Sequence, residues 1–193
     1  MNWFSRKKKI ALVDTIIILI IIMWILFLSS HSPESIINSI GVTNGYLFAF
    51  LFSILGGMTT FTFISVYPAV ITLAIGGLHP LIIGFISGVG LTIANASFFY
   101  FGLKGRNIAQ TSSKFSKYSE SILNWLNKRP EWFMPIFIWF YVGLTPLPNN
   151  FLTASGGLLD YSFKKIIIPL FIGNITLMIL MGYLTIVGIG LFK

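Results

Sequence analysis

The sequence predicts an all-α polytopic membrane protein: an inverted repeat of a re-entrant helical hairpin plus a transmembrane helix, preceded by an N-terminal transmembrane helix. Three observations carry that prediction. Of 193 residues, 55% are hydrophobic and only 9% charged, against about 25% charged in a soluble domain, too little polar surface to face water. Twelve of the 13 basic residues fall in three places, Arg6–Lys9, the stretch 104–129 and Lys164–Lys165, with apolar runs between them. Finally, two stretches rich in helix breakers and small polar residues resemble one another along the chain.

Residues 10–29, IALVDTIIILIIIMWILFLS, supply about the 20 apolar residues that cross about 30 Å of hydrocarbon. The run is long and no clear small-x-small cleavage site follows, Ser30-His31-Ser32 being followed by Pro33, which favours a retained helix over a signal peptide. Arg6–Lys9 ahead of it places the N-terminus in the cytoplasm, because Lys and Arg collect on that side. SHSPES then reads as the start of a short outer helix, with Ser32 as N-cap, Pro33 at the first helical position and Glu34 in the first turn. Gly41 ends it.

From 45 to 78 an apolar stretch is broken by Gly56–Gly57, Pro68 and Gly76–Gly77; Leu81–Leu103 follows as a clean span. Its pairs Gly84/Gly88 and Gly90/Ala94 are small residues four apart, a surface on which another helix packs closely. The segment 104–130 is polar and basic. From 113 onward, Phe115, Tyr118, Ile122, Trp125 and Leu126 share one helical face and Lys114, Lys117, Ser121, Asn124 and Lys128 the other, so it suits either an anionic membrane surface or a solvated linker. A second broken stretch, 132–159, carries Pro135, Gly143, Pro146, Pro148 and Gly156–Gly157, and 166–191 is the last span. The chain thus divides into 1–44, 45–103, 104–130 and 131–193, all within one integral membrane domain.

SVYPAVITLAIGGL (65–78) and TPLPNNFLTASGGL (145–158) align without gaps, with five identities: a proline, an alanine and the final GGL. If each broken segment crossed the bilayer once, the connector 104–130 would lie opposite Arg6–Lys9. If each dips in and returns, every basic cluster falls on one side and the two units enter from opposite faces, the inverted topology of many transporters. Broken helix in lipid leaves backbone groups unpaired at several kcal/mol each, unless protein or water satisfies them. Thr59, Thr60, Thr62, Ser65, Tyr67 and Thr72 in one copy, and Thr145, Asn149, Asn150, Thr153 and Ser155 in the other, can repair that backbone or meet a polar solute. The expected substrate pathway is Pro68, Thr72, Thr145, Pro148, Asn149, Asn150 and Thr153.

The charge is confined to loops, which argues against nucleic acid as a partner. The five acidic residues, Asp14, Glu34, Glu120, Glu131 and Asp160, sit in loops, at interfaces or near a span end, and His31 and His79 have no ligand-like neighbours. No nucleophile elbow, phosphate loop or zinc-protease motif occurs. The expectation is no enzyme activity, no cofactor and no metal.

A proline separated from GGL by seven residues, a Gly-rich span, a basic amphipathic connector and a second P-x-P hairpin together resemble the DedA family, also called the SNARE-associated or VTT-domain family. The likeness covers about residues 45–185, and its most specific piece is GLTPLPNNFLTASGGLLDYSFKK. The resemblance implies two re-entrant hairpins and movement of phospholipids or polyprenyl-phosphate carriers between leaflets, in some members coupled to protons. This chain departs from the pattern. It has Pro68–Ala69–Val70 where such members carry a carboxylate, and Gly143 and Asn149–Asn150 where they carry arginines. Neutral tips suit a downhill, scramblase-like pathway. Lys104, Arg106, Lys164 and Lys165 would attract anionic headgroups at the cytoplasmic face. The expected setting is a multi-pass protein of the cell membrane with membrane lipids as partners and self-association left open. A small-solute or ion transporter on the same scaffold, or a membrane organiser recruiting a partner through 113–127, are the alternatives.

Overall fold

A computed structural model of the chain describes residues 32–58, 63–111 and 113–191. The expected first span at 10–29, Arg6–Lys9, Thr59, Thr60 and Thr62 lie outside the described residues. Among those described there are eight helices: α1 Pro33–Ile40, α2 Val42–Gly57, α3 Phe63–Ile75, α4 Pro80–Gln110, α5 Ser113–Asn127, α6 Phe133–Leu144, α7 Asn150–Leu158 and α8 Phe163–Leu191.

The first of these begins as its sequence dictates. The Ser32 hydroxyl accepts the Ser35 N–H at 3.2 Å, Pro33 opens the helix and Glu34 lies in its first turn. Gly41 ends it at φ +83°, a backbone region glycine enters without steric cost. The chain then turns through 104° into α2.

Length separates the helices into two kinds. With 31 and 29 residues, α4 and α8 measure about 46 and 44 Å at about 1.5 Å per residue, enough to cross a bilayer. By contrast α2, α3, α6 and α7 have 16, 13, 12 and 9 residues, all short of the about 20 a crossing needs. Two helices long and apolar enough to span, together with the bent apolar pair α1–α2, are the architecture of a multi-pass membrane protein. The outer surface agrees, since Leu55, Phe101, Phe140, Phe151 and Leu184 all project from it exposed.

The long helices touch backbone to backbone. A Cβ added at Gly84 would lie 2.7 Å from the Ile179 nitrogen, and one at Gly88 2.7 Å from the Ile175 Cα. Pro80 meets Gly182. As the number rises along α4 it falls along α8, so the two run antiparallel. The second small pair faces elsewhere: Gly90 abuts Phe50 and Ser53 of α2, while Ala94 meets Gly57. Thus α4 carries two stripes of small residues for two partners, as the four-residue spacings predict.

Each short helix has a defined place. Helix α2 lies along α4 and α6 along α8, each on the long helix that follows it, while α3 packs on α8 and α7 on α4 across the molecule. Glycines again permit the approach, with Gly102 against Ala154 and Gly157 against Phe99 and Leu103. One apolar core gathers Val66, Val70, Leu78, Ile83, Leu91 and Met178; another gathers Phe99, Ile138, Val142, Ile166 and Leu170.

Both broken segments begin and end in the same place. The His79 N–H donates to the Tyr46 hydroxyl at 3.0 Å, and Gly45 lies against Leu78. In the second, the Lys165 ammonium pairs with Glu131 at 3.3 Å.

The two GGL sequences do different jobs. In the first copy the Leu78 N–H returns to the Leu73 carbonyl around Gly77 at φ +100°, a Schellman ending. In the second the Tyr161 N–H returns to Gly156 around Asp160 at φ +57°, and Gly156–Gly157 stay helical to pack on Ile166 and Phe99. Pro68 likewise sits inside α3, whereas its sequence match Pro148 lies in non-helical chain. Asp160 also pairs with Arg106. Because both side chains are substantially exposed, that pair is worth only about 0–1 kcal/mol, similar to the backbone term. Asp160→Gly is therefore expected to leave the unfolding midpoint nearly unchanged. Asp160→Ala, which loses the pair and gains no relief of the unfavourable φ, is expected to cost about 0–1 kcal/mol. Thermal unfolding in detergent compares the two.

Candidate functional site

Helix α6 stops at Leu144 because Pro146 and Pro148 follow. A proline has no N–H to continue the ladder and pushes the residue before it into extended conformation; Thr145 has φ −123° and ψ 131°. Residues 145–149 are non-helical and α7 starts at Asn150. Side chains repair part of the gap. The Thr145 hydroxyl donates to the Tyr141 carbonyl, and the Tyr141 hydroxyl reaches the Pro148 carbonyl at 3.5 Å. The buried Thr153 hydroxyl is shared between the carbonyls of Asn149 and Asn150 at 3.2 and 3.1 Å. For Thr145 and Thr153, backbone repair is the role seen.

Asn149 does something else. Fully buried, its amide N–H donates to the Asn174 oxygen at 3.0 Å; the Asn174 amide donates to the Thr92 hydroxyl at 3.0 Å; that hydroxyl donates to the Gly88 carbonyl at 2.7 Å. A directional chain thereby ties the second break to the middle of α8 and of α4. Asn95 lies three residues beyond Thr92 on α4 and is wholly buried. Neither amide atom of Asn95 or of Asn150, nor the Asn149 oxygen, has a partner among the described residues. These groups offer donors and acceptors together, and no ionised residue occurs in 80–103 or 166–191.

The first break reaches the same level. Helix α2 ends with Gly57 against Leu91 and Ala94, next to Thr92 and Asn95. Tyr67 on α3 and Tyr141 on α6 lie within electrostatic reach of each other. Residues 91–95 are the midpoint of α4, so both broken segments end against the centre of the long helices.

Of the expected pathway residues, Asn149, Asn150 and Thr153 are brought together beside α4 and α8, with Thr145 half-buried and Pro148 partly buried at the break. The two from the first copy fall elsewhere. Pro68 is exposed on α3, and Thr72, though buried, lies one turn before the end of α3 that meets α1. The four basic residues gather at one end of the bundle. Arg106 is held by Asp160 and Lys165 by Glu131, while Lys104 and Lys164 are exposed. Along α4, Lys104 is 12 residues from Thr92, about 18 Å at about 1.5 Å per residue.

Thr92, Asn95 and Asn174 escaped the sequence reading, which weighed ionisable groups and hairpin residues. Their signal was present: an asparagine in each long apolar span, LTIANASF and FIGNITLM, where a polar side chain needs a partner or a task. Among the described residues no three acidic or histidine side chains are grouped to hold a metal.

Fold and site define an all-α membrane protein with two broken helical segments ending against two long antiparallel helices at an uncharged amide cluster. Comparison with models of known protein families, with curated proteins and with solved structures finds no match to this chain.

Proposed function

We propose that this protein is a DedA/VTT-like transporter that moves the headgroups of lipids or lipid-linked carriers between leaflets, past two re-entrant hairpins inserted from opposite faces. The observation that carries the reading is the convergence of both broken segments, each closed on itself at its ends, on the buried amides at the middle of α4 and α8. Had 131–165 crossed the bilayer once, α4 and α8 would run parallel; their antiparallel contact supports a segment that dips and returns.

All described Lys and Arg lie between 104 and 165, which supports a cytoplasmic placement of that end. Exposed Lys104 and Lys164 would gather anionic lipid there. A polar headgroup entering hydrocarbon alone loses several kcal/mol of hydration. Asn95, Asn149, Asn150 and Asn174 would replace part of it while the acyl chains stay in lipid. Because the cluster offers donors and acceptors without net charge, it suits hydroxylated or zwitterionic headgroups. The niche is closed here, so passage requires the 145–149 break to move, with Gly143 at its base.

Reconstitution in liposomes with labelled lipids tests the proposal. Exchange between leaflets is expected to exceed that of empty vesicles, most for hydroxylated headgroups. No acceleration for any headgroup would sink it, and flux of a free solute without lipid exchange would move the function to small solutes. Orientation is checked separately, because the chain has no cysteine and single-cysteine labelling is clean. Lys164→Cys is expected to react only from the cytoplasmic side and His79→Cys only from the opposite side. Reaction of both from one side would refute the topology.

A further inference from the structure

Helix α5 and the second broken segment line a partly open cavity of ≈ 250 Å³. Ile122, Trp125 and Leu126 of α5, Phe133 and Phe137 of α6, and Leu152 of α7 are among its walls. None of Asn95, Asn149, Asn150, Thr153 and Asn174 lines it, so this space is distinct from the amide niche. The guanidinium carbon of Arg129 lies 4.7 Å from the centre of the Trp125 ring and 5.7 Å from that of Phe133. A fixed positive charge therefore stands against two rings that wall an apolar cavity. Stacking engages the face of the guanidinium and leaves its in-plane N–H donors for an anion, and Arg129 makes no ion pair among the described residues.

We propose that this cavity holds one acyl chain of an anionic phospholipid whose phosphate is caught by Arg129. Its almost wholly apolar walls select a segment of chain over a headgroup. The cavity exceeds the about 150 Å³ that admits a benzene ring and is smaller than the about 300–1,000 Å³ of pockets for drug-sized ligands. Chemistry selects lipid over solute, because apolar walls beside a single cation match the boundary between tail and phosphate. Position agrees: Tyr118, Ile122 and Trp125 of α5 are exposed on a basic amphipathic helix of the kind that lies in the headgroup region. A bound chain would wedge between α5 and the α6–α7 pair.

The test uses Trp125 as reporter, with Trp3, Trp24, Trp132 and Trp139 replaced by Phe, in nanodiscs containing phosphatidylglycerol or phosphatidylcholine with brominated acyl chains. Phosphatidylglycerol is expected to quench Trp125 saturably at a mole fraction about tenfold lower than phosphatidylcholine, the ratio that about 1.4 kcal/mol of charge-assisted bonding produces. Ser155→Phe, which fills the cavity, and Arg129→Gln are each expected to abolish that difference. Equal quenching by both lipids, indifferent to either substitution, would overturn the site. Because four tryptophan replacements can disturb folding, native mass spectrometry of the unaltered protein gives a second reading. One retained phosphatidylglycerol per chain, lost in Arg129→Gln, supports the site; retention unchanged by Arg129→Gln refutes it.

Discussion

Asn174→Leu is expected to slow lipid exchange at least about tenfold, equivalent to about 1.4 kcal/mol in the barrier, and to lower stability as well. Asn174 is the hub of the buried chain, accepting from Asn149 and donating to Thr92. Interhelical hydrogen bonds in membrane proteins contribute about 0.6–2 kcal/mol each, so losing both costs about 1–4 kcal/mol. The leucine fits the surrounding apolar span and leaves the fold recognisable. What it removes is the register between the second break and the long helices, and one of the polar groups offered to a headgroup. Asn174→Gln, which keeps a donor and an acceptor, is expected to retain more activity than leucine. Equal exchange rates in leucine, glutamine and unaltered protein would show that the amide chain is not on the path.

A large structural effect is expected at Gly88. A Cβ there would meet Ile175 Cα at 2.7 Å and its nitrogen at 2.8 Å, and backbone cannot step aside as a side-chain end can. Forcing even one extra methylene into a packed interior costs about 1–3 kcal/mol. Gly88→Val adds three carbons against a backbone, so loss of the folded protein in detergent is expected. Gly188 supplies the control, because a Cβ there meets nothing within 4 Å. Gly188→Ala is expected to be neutral or stabilising, by up to about 1 kcal/mol of helix propensity. Thermal stability by fluorescence separates the two, and a stable Gly88→Val would contradict the direct contact of α4 with α8.

Gly88 and Asn174 also mark how far the sequence could be read. The spacing of Gly84/Gly88 and Gly90/Ala94 announced close helix contacts, because one small side chain per turn is a local property of an α-helix. It did not say which stripe faces which partner. The GGL repeat predicted two similar units, yet Gly77 ends α3 with a positive φ while Gly157 stays helical against Phe99. Identical residues adopt different roles when the surface beside them differs. Pro68 and Thr72 were expected with Asn149 and Asn150, but they point to other parts of the bundle, since the first break falls nearer Met58 than Pro68.

By itself the sequence determined what depends on composition and local periodicity. That includes a lipid-facing chain, the two long spans, the capped α1, the breaks that proline enforces and the gathering of 12 of the 13 basic residues in 6–9, 104–129 and 164–165. Only the tertiary structure decided that α4 and α8 run antiparallel, that both breaks end at residues 91–95, and that Asn149, Asn174 and Thr92 join. Those contacts link residues 25 and 82 positions apart. A hydrogen bond between amides is specified by where the helices place them, and no local pattern along the chain encodes that placement.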